Sequence, residues 1–154
     1  MIKIETKKYL PQIILASIAL ILLLFSVITF NISSRAYRRM FIFPSADDGK
    51  YIVEYRNLSR SPVQGDLQYY VDEILLGSGT ERTKMLFTPG TSVLSCFQRD
   101  SILYLNLSSN LLDMGEGVVD IKSGFELLEK NIKKNFPKVK NVEFFIEGKS
   151  VFEN

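Results

Sequence analysis

The sequence predicts an α+β domain behind a single-pass N-terminal transmembrane helix. Two observations support this class: an uncharged, mostly apolar run over residues 11–30, and a following region in which strand-like segments alternate with two segments of helical periodicity. The predicted order after the run is two strands, a helix, a hairpin, a helix and a strand. A compact sheet of about five strands, with both helices packed on one face, is the simplest way to bury both apolar helix stripes.

The apolar run is long enough, as a helix, to cross about 30 Å of hydrocarbon. It exceeds the apolar region of most cleavable signal peptides, and three arginines follow it between positions 35 and 39. We therefore predict an uncleaved anchor; cleavage near Ser33 or Ser34 is the alternative. The predicted divisions are a short cytoplasmic tail over residues 1–10, the anchor over 11–30, a basic juxtamembrane linker over 31–39 and the domain over 40–154.

Charge is distributed unevenly along the chain. The whole chain carries +2, and residues 1–39 hold six basic residues and one acid, for +5, which leaves −3 for residues 40–154. A mildly acidic domain argues against a nucleic-acid partner, because phosphate binding needs a basic face. The basic residues beside the anchor suit lipid head groups, so the lipid bilayer is the predicted partner of residues 11–30.

The first two predicted strands are short apolar runs around a turn. Residues 40–43 end at Pro44, and the turn signal "ADDGK" leads into residues 51–56. The next segment has apolar residues at i, i+3, i+4, i+7 and i+8 before Gly77, which is the pattern of an amphipathic helix. Those apolar residues are Leu67, Tyr70, Val71, Ile74 and Leu75.

A hairpin, a second helix and a last strand complete the domain. Leu103, Leu105 and Leu107 share one face of the second hairpin strand, and we expect that leucine face to meet the helices. The second helix is predicted to begin after the N-cap Asp120 and to end at Pro137. Its apolar stripe is Ile121, Phe125, Leu128, Ile132 and Phe136, and "VEFFIEG" supplies the final strand and turn.

The single cysteine, Cys96, lies in the first hairpin strand. A catalytic thiol usually needs a base or a helix N-terminus beside it, and the chain has no histidine, the base most often used. Free cysteine also packs in protein cores as a small apolar residue. We therefore interpret Cys96 as a structural residue.

Two acidic groups raise the alternative of a hydrolase. Asp72 and Glu73 are adjacent on the first helix, so their side chains point about 100° apart and are poorly placed to share a substrate bond. The second group lies around the loop before the second helix and consists of Asp113, Glu116 and Asp120. Its spacing does not match that of a known metal-binding loop. The sequence thus predicts no catalytic, cofactor-binding or metal residue and no small-molecule substrate. The alternative is a membrane-tethered cell-wall-binding module or hydrolase that uses these last three carboxylates.

Five stretches, in order, resemble the GerMN domain of bacterial sporulation and spore germination proteins, and they cover roughly residues 40–149. They are "FIFPSADDGKYIVEYR", "YYVDEILLGSG", "LFTPGTSVLSCFQRDSILYLNLSSNLL", "GFELLEKNIKKNFPKVKNVEFFIEG" and the closing "GK". The third is the most specific, with its Pro89 turn, apolar strand, charged tight turn and strand end at Ser108. Ser101 and Asn106 depart from the glycine and aspartate often found there, and the domain is present once.

The resemblance implies a non-catalytic, extracytoplasmic interaction domain of the cell envelope, with a fold like that of ring-building modules. We expect it to serve sporulation, division or cell-wall assembly and to bind other envelope proteins, or a second copy of itself through sheet edges. The expected edges are residues 40–43 and 142–146. Charge leaves the membrane topology nearly tied, with three lysines before the anchor and three arginines after it. The resemblance favours a cytoplasmic-membrane protein whose C-terminal domain is outside.

Overall fold

The computed structural model describes residues 6–33 and 36–152, and it confirms the α+β class. The chain forms two units that divide between Ala36 and Tyr37. The first contains helix α1, Thr6–Ser33, which begins before the predicted anchor and ends after it. Its stretch Tyr9–Phe30 is apolar and long enough to cross a membrane, and no part of that stretch is buried within the protein.

The second unit contains the predicted order of elements, with one short strand added. The elements are β1 (Ala36–Pro44), β2 (Tyr51–Ser59), α2 (Asp66–Leu75), β3 (Val93–Arg99), β4 (Ile102–Leu107), a 3-10 turn (Ser109–Leu112), α3 (Ile121–Asn135), β5 (Asn141–Ile146) and β6 (Lys149–Ser150). Strand β1 begins four residues earlier than residues 40–43 predict, within the segment expected to be a linker.

The strands form two sheets where the sequence predicts one. β1 and β2 pair as a two-stranded sheet, and the other four strands lie in the order β3-β4-β5-β6. β4 is antiparallel to β3 and parallel to β5, and β6 is antiparallel to β5. The physical reason for the division is that side chains of α3 bond to the edge of β1 that faces away from β2. That edge therefore cannot pair with a strand of the larger sheet.

The leucine face of β4 lies in the core, as predicted. Leu103, Leu105 and Leu107 have no exposed surface, and they belong to one apolar cluster with the buried residues of both helices. The helix residues in this cluster include Tyr70, Val71, Ile74, Phe125, Leu128 and Ile132. Removing these side chains from water is the main favourable contribution to folding.

Two asparagines of α3 bind the backbone of β1. The Asn131 amide Nδ2 donates to the Ile42 carbonyl at 2.9 Å, and its Oδ1 accepts from the Ile42 N–H at 2.8 Å. Asn135 makes the same pair of bonds to Met40, at 2.7 and 2.9 Å. Four residues of helix rise about 6 Å and two residues of strand about 6.6 Å, so the two spacings match. The side-chain amides take the place of a neighbouring strand.

The remainder of this edge of β1 is bonded to the segment that follows α2. The Lys84 N–H donates to the Pro44 carbonyl, and the Ala46 N–H donates to the Arg82 carbonyl, both at 2.8 Å. The Tyr70 hydroxyl donates to the Met40 carbonyl at 2.7 Å. Backbone groups on this side of the chain are therefore satisfied from Met40 in β1 to Ala46, two residues after β1 ends.

Arg56 ties β2 to the end of α2. Its Nε lies 2.7 Å from Oε1 of Glu54, and its Nη2 donates to the Gly77 carbonyl at 2.6 Å. Its Nη1 donates to both the carbonyl and the carboxylate of Glu73. The hydrogen bond from Arg56 holds the pKa of the Glu54 carboxyl below its usual value. Two charged side chains of β2 thus point inward and are neutralised there.

Replacing Asn131 by leucine, which has a similar volume, should lower the free energy of unfolding by about 2–4 kcal/mol, because the Ile42 N–H and C=O lose their partners while buried. Urea titration of the full-length chain in detergent measures this change. Asn141→Leu, at the exposed start of β5, is the matched control and should change stability by about 0.5 kcal/mol or less. Equal losses in the two variants would show that the asparagine bonds to β1 contribute nothing specific.

Candidate protein-interaction edge

Strand β3 is one end of the four-stranded sheet, and the two-residue strand β6 is the other. β3 pairs with β4 on one side, and in the described part of the chain no strand pairs with its other side. Five of its seven residues are exposed. An edge strand of this kind presents unpaired backbone N–H and C=O groups that can bind another strand.

The hairpin geometry shows which backbone groups face outward. β3 and β4 are joined by the two-residue loop Asp100–Ser101, in which Asp100 has a φ of 56°. A two-residue loop makes its flanking residues a hydrogen-bonded pair, and such pairs recur at every second residue. Arg99 and Phe97 therefore bond to β4, and the N–H and C=O groups of Cys96 and Gln98 point away from the sheet.

Both edges that the sequence suggested are at least partly occupied by other segments of the chain. Residues 40–43 lie in β1, whose outer edge is bonded to α3. Residues 142–146 lie in β5, which pairs with β4 along its whole length and with β6 at Phe145 and Ile146, and the Val151 N–H donates to the Phe144 carbonyl at 3.0 Å. Local sequence predicts a strand but not its neighbours. Which strand lies at the end of a sheet depends on the sheet order, which the local sequence does not determine.

A groove of about 450 Å³ runs beside β3 on the helix side of the sheet. Its floor includes Leu103 and Phe136, and its wall is the chain at the start of α2, residues 64–68. Gly65 precedes the helix with a φ of 84°, a conformation that favours glycine. Inner-face side chains of a strand added to β3 would lie over this groove.

The opposite face of the sheet carries a row of three aromatic rings, one on each of β3, β4 and β5. The rings of Phe97 and Tyr104 stack with centroids 5.0 Å apart, and those of Tyr104 and Phe145 lie 6.5 Å apart. We call Phe97, Tyr104 and Phe145 the aromatic row. The row ends at Phe97, which is 57% exposed at the open edge.

Cys96 lines the groove and lacks the surroundings of a nucleophile. Burial, together with the nearby Asp72 carboxylate, raises the pKa of its thiol to about 11. The thiol is therefore protonated at neutral pH, which agrees with the structural interpretation. Asp72 and Glu73 do not act together, since Glu73 bonds to Arg56 on the other side of α2.

The acidic residues of the second loop have different surroundings. Oδ1 of Asp120 accepts from the Ser123 N–H at 2.9 Å, which confirms the predicted N-cap. Hydrogen bonding with the Ser123 side chain, and then with its N–H, lowers the pKa of the Asp120 carboxyl. Asp113 and Glu116 are exposed. Across residues 6–33 and 36–152, no group of three or more histidine, cysteine or acidic side chains is placed to hold a metal ion.

Sequence reasoning missed the two asparagines that bind β1. The available signal was their position, because Asn131 and Asn135 are four residues apart and fall on the apolar stripe of α3 beside Leu128 and Ile132. A buried polar residue on such a stripe needs hydrogen-bond partners. A strand edge supplies both a donor and an acceptor.

The family model named Germane, described as sporulation and spore germination, matches residues 41–152. The chain belongs to this family. A relative in Treponema pallidum (strain Nichols), an uncharacterized lipoprotein, is 31% identical over 102 residues, which is 63% of this chain and 76% of the relative.

Solved structures of the Germane fold agree with the architecture. The first GerMN domain of the sporulation protein GerM from Bacillus subtilis superposes with a TM-score of 0.60 at 11% identity, over 75% of this chain and 86% of that domain. The tandem GerMN domains of the same protein give 0.56 at 16% identity, over 77% of this chain and 42% of the tandem pair. At these identities the likeness establishes the fold.

Alkylation by iodoacetamide should report the raised pKa of Cys96. At pH 8 the rate should be roughly 100-fold below that of an exposed thiol, and it should climb about tenfold per pH unit until pH approaches 11. Ser95→Cys in a Cys96→Ala chain provides the exposed control. The folded state favours the protonated Cys96 thiol over the thiolate. The stability that this preference contributes is therefore complete below pH 9 and is lost as the pH rises through 11. Rapid alkylation of Cys96 at pH 7 would contradict the structural role.

Proposed function

We propose that this Germane-family protein is anchored in the cytoplasmic membrane by α1 and presents its domain outside the cytoplasm as a non-catalytic protein-binding module. The open edge of β3 is the observation that carries the proposal. The outward N–H and C=O groups of Cys96 and Gln98 can form main-chain hydrogen bonds with an added strand. The adjoining groove would contact the side chains of that strand and so discriminate between partner sequences.

The extracytoplasmic orientation is supported by the relative in Treponema pallidum, which is named a lipoprotein. The single cysteine of this chain lies inside the domain at position 96, so we assign anchoring to α1 rather than to a lipid on a cysteine. Three arginines then follow the anchor on the outer side, which opposes the positive-inside tendency. Three lysines on the inner side offset that cost.

A binding role also agrees with the chemistry that the domain offers. Cys96 is protonated, Asp120 is engaged as a helix cap, and Glu73 is bonded to Arg56. These groups stabilise the fold and are not available as a nucleophile or a general base. We propose that the module contributes to an assembly in sporulation, division or cell-wall synthesis, in line with the description of its family.

Crosslinking in intact cells tests the binding edge and its compartment together. A photo-crosslinking amino acid at Leu94, which is 47% exposed on β3, should form an adduct with an envelope protein or with a second copy of the chain. The same amino acid at Glu126, on the exposed face of α3, is the control and should form none. Alkaline phosphatase fused after Asn154 should be active, because it matures only outside the cytoplasm.

Two results would contradict the proposal. The absence of any protein adduct at Leu94 would remove the binding edge. A fluorescent GFP fusion with an inactive phosphatase fusion at the same position would place the domain in the cytoplasm.

A further inference from the structure

We infer that the partner of β3 is β3 of a second copy, paired antiparallel with Phe97 opposite Phe97 across a two-fold axis. This inference rests on the proposed function of the edge and names its occupant. A two-fold interface requires a surface that is complementary to itself. Three features of β3 meet that requirement.

The first feature is that the regular part of β3 carries no inward-pointing charge. Natural sheets discourage pairing at exposed edges with inward-pointing charges, and β2 has two of them in Glu54 and Arg56. From Val93 to Gln98, β3 carries no charged residue and no proline. A bulge between Val93 and Ser95 confines the regular part of the strand to residues 95–99. Those five residues are the pairing segment.

The second feature is the aromatic row, which stops at an exposed ring. Phe97 bonds to β4 on its inner side, so toward the open edge it occupies the position where facing residues come closest, with Cα atoms about 4.5 Å apart. Placing Phe97 of the second copy there would continue the row from one sheet into the other. Stacked aromatic pairs of this kind are favourable across strands. The ring that is exposed in one copy would be covered by its equivalent.

The third feature is electrostatic. With Phe97 opposite itself, Ser95 faces Arg99 of the other copy, and Cys96 faces Gln98 over the groove. Arg99 is the only charged residue of the pairing segment, and in this register it meets a neutral hydroxyl. In this register no two like charges face each other across the pair, so pairing carries no charge repulsion within the segment.

Disulfide trapping tests both the partner and the register. The full-length chain with Ser95→Cys, Arg99→Cys and Cys96→Ala should form a disulfide-linked dimer when its membranes are oxidised with copper phenanthroline, because the facing Cα atoms would be about 4.5 Å apart. Ser95→Cys or Arg99→Cys alone, in the same Cys96→Ala chain, should give at least fivefold less dimer. In each control the introduced cysteine and the same cysteine of the second copy would have Cα atoms about 13 Å apart. Matched circular dichroism spectra would verify that all three variants fold.

The outcomes separate this inference from the proposed function. Equal dimer yields from the single and double variants would overturn the Phe97-centred register. No dimer from the double variant, together with a Leu94 photo-adduct to a different envelope protein, would overturn self-pairing and leave the binding role intact. No dimer and no photo-adduct would overturn both.

Discussion

The hydrogen bonds from Asn131 and Asn135 to β1 are the constraint on which the arrangement of the domain depends. A strand edge that lies against a helix is shielded from water, so each of its N–H and C=O groups needs a protein partner. Two amides spaced four residues apart on α3 supply donors and acceptors at the spacing of alternate strand residues. The cost of burying a strand edge under a helix is thereby removed. Because β1 is occupied on that side, it forms a separate sheet with β2, and the larger sheet has the order β3-β4-β5-β6.

The elements of this fold could be predicted from the sequence because each has its own periodicity. The leucine face of β4 and the apolar stripe of α3 required only the spacing of apolar residues. The division into two sheets could not be predicted in this way, since it depends on which distant group occupies a strand edge. Gly124 illustrates the same limit: a Cβ there would lie 2.7 Å from the Leu86 carbonyl oxygen, so α3 needs glycine for a contact between segments far apart in sequence.

The same distinction applies to the candidate site. The absence of histidine and the strand position of Cys96 led to its interpretation as a structural residue, and in the fold burial raises the pKa of that thiol. The location of the proposed binding edge was not predictable, because residues 40–43 and residues 93–99 both have the composition of a short strand when considered alone. Only the sheet order separates a strand that is bonded on both sides from one that is bonded on one side. Strand β3 is therefore one place where the fold leaves backbone groups available for strand pairing.

Residue-resolved hydrogen exchange of the full-length chain, in lipid nanodiscs loaded with either one copy or two, tests most directly whether β1 is closed and β3 is open. With one copy, the amides of Met40 and Ile42 should exchange as slowly as the core of α3, and those of Cys96 and Gln98 should exchange quickly. With two copies, the amides of Cys96 and Gln98 should become protected and the others should not change. Slow exchange at Cys96 and Gln98 in single-copy discs, or fast exchange at Met40 and Ile42, would contradict this assignment of the edges.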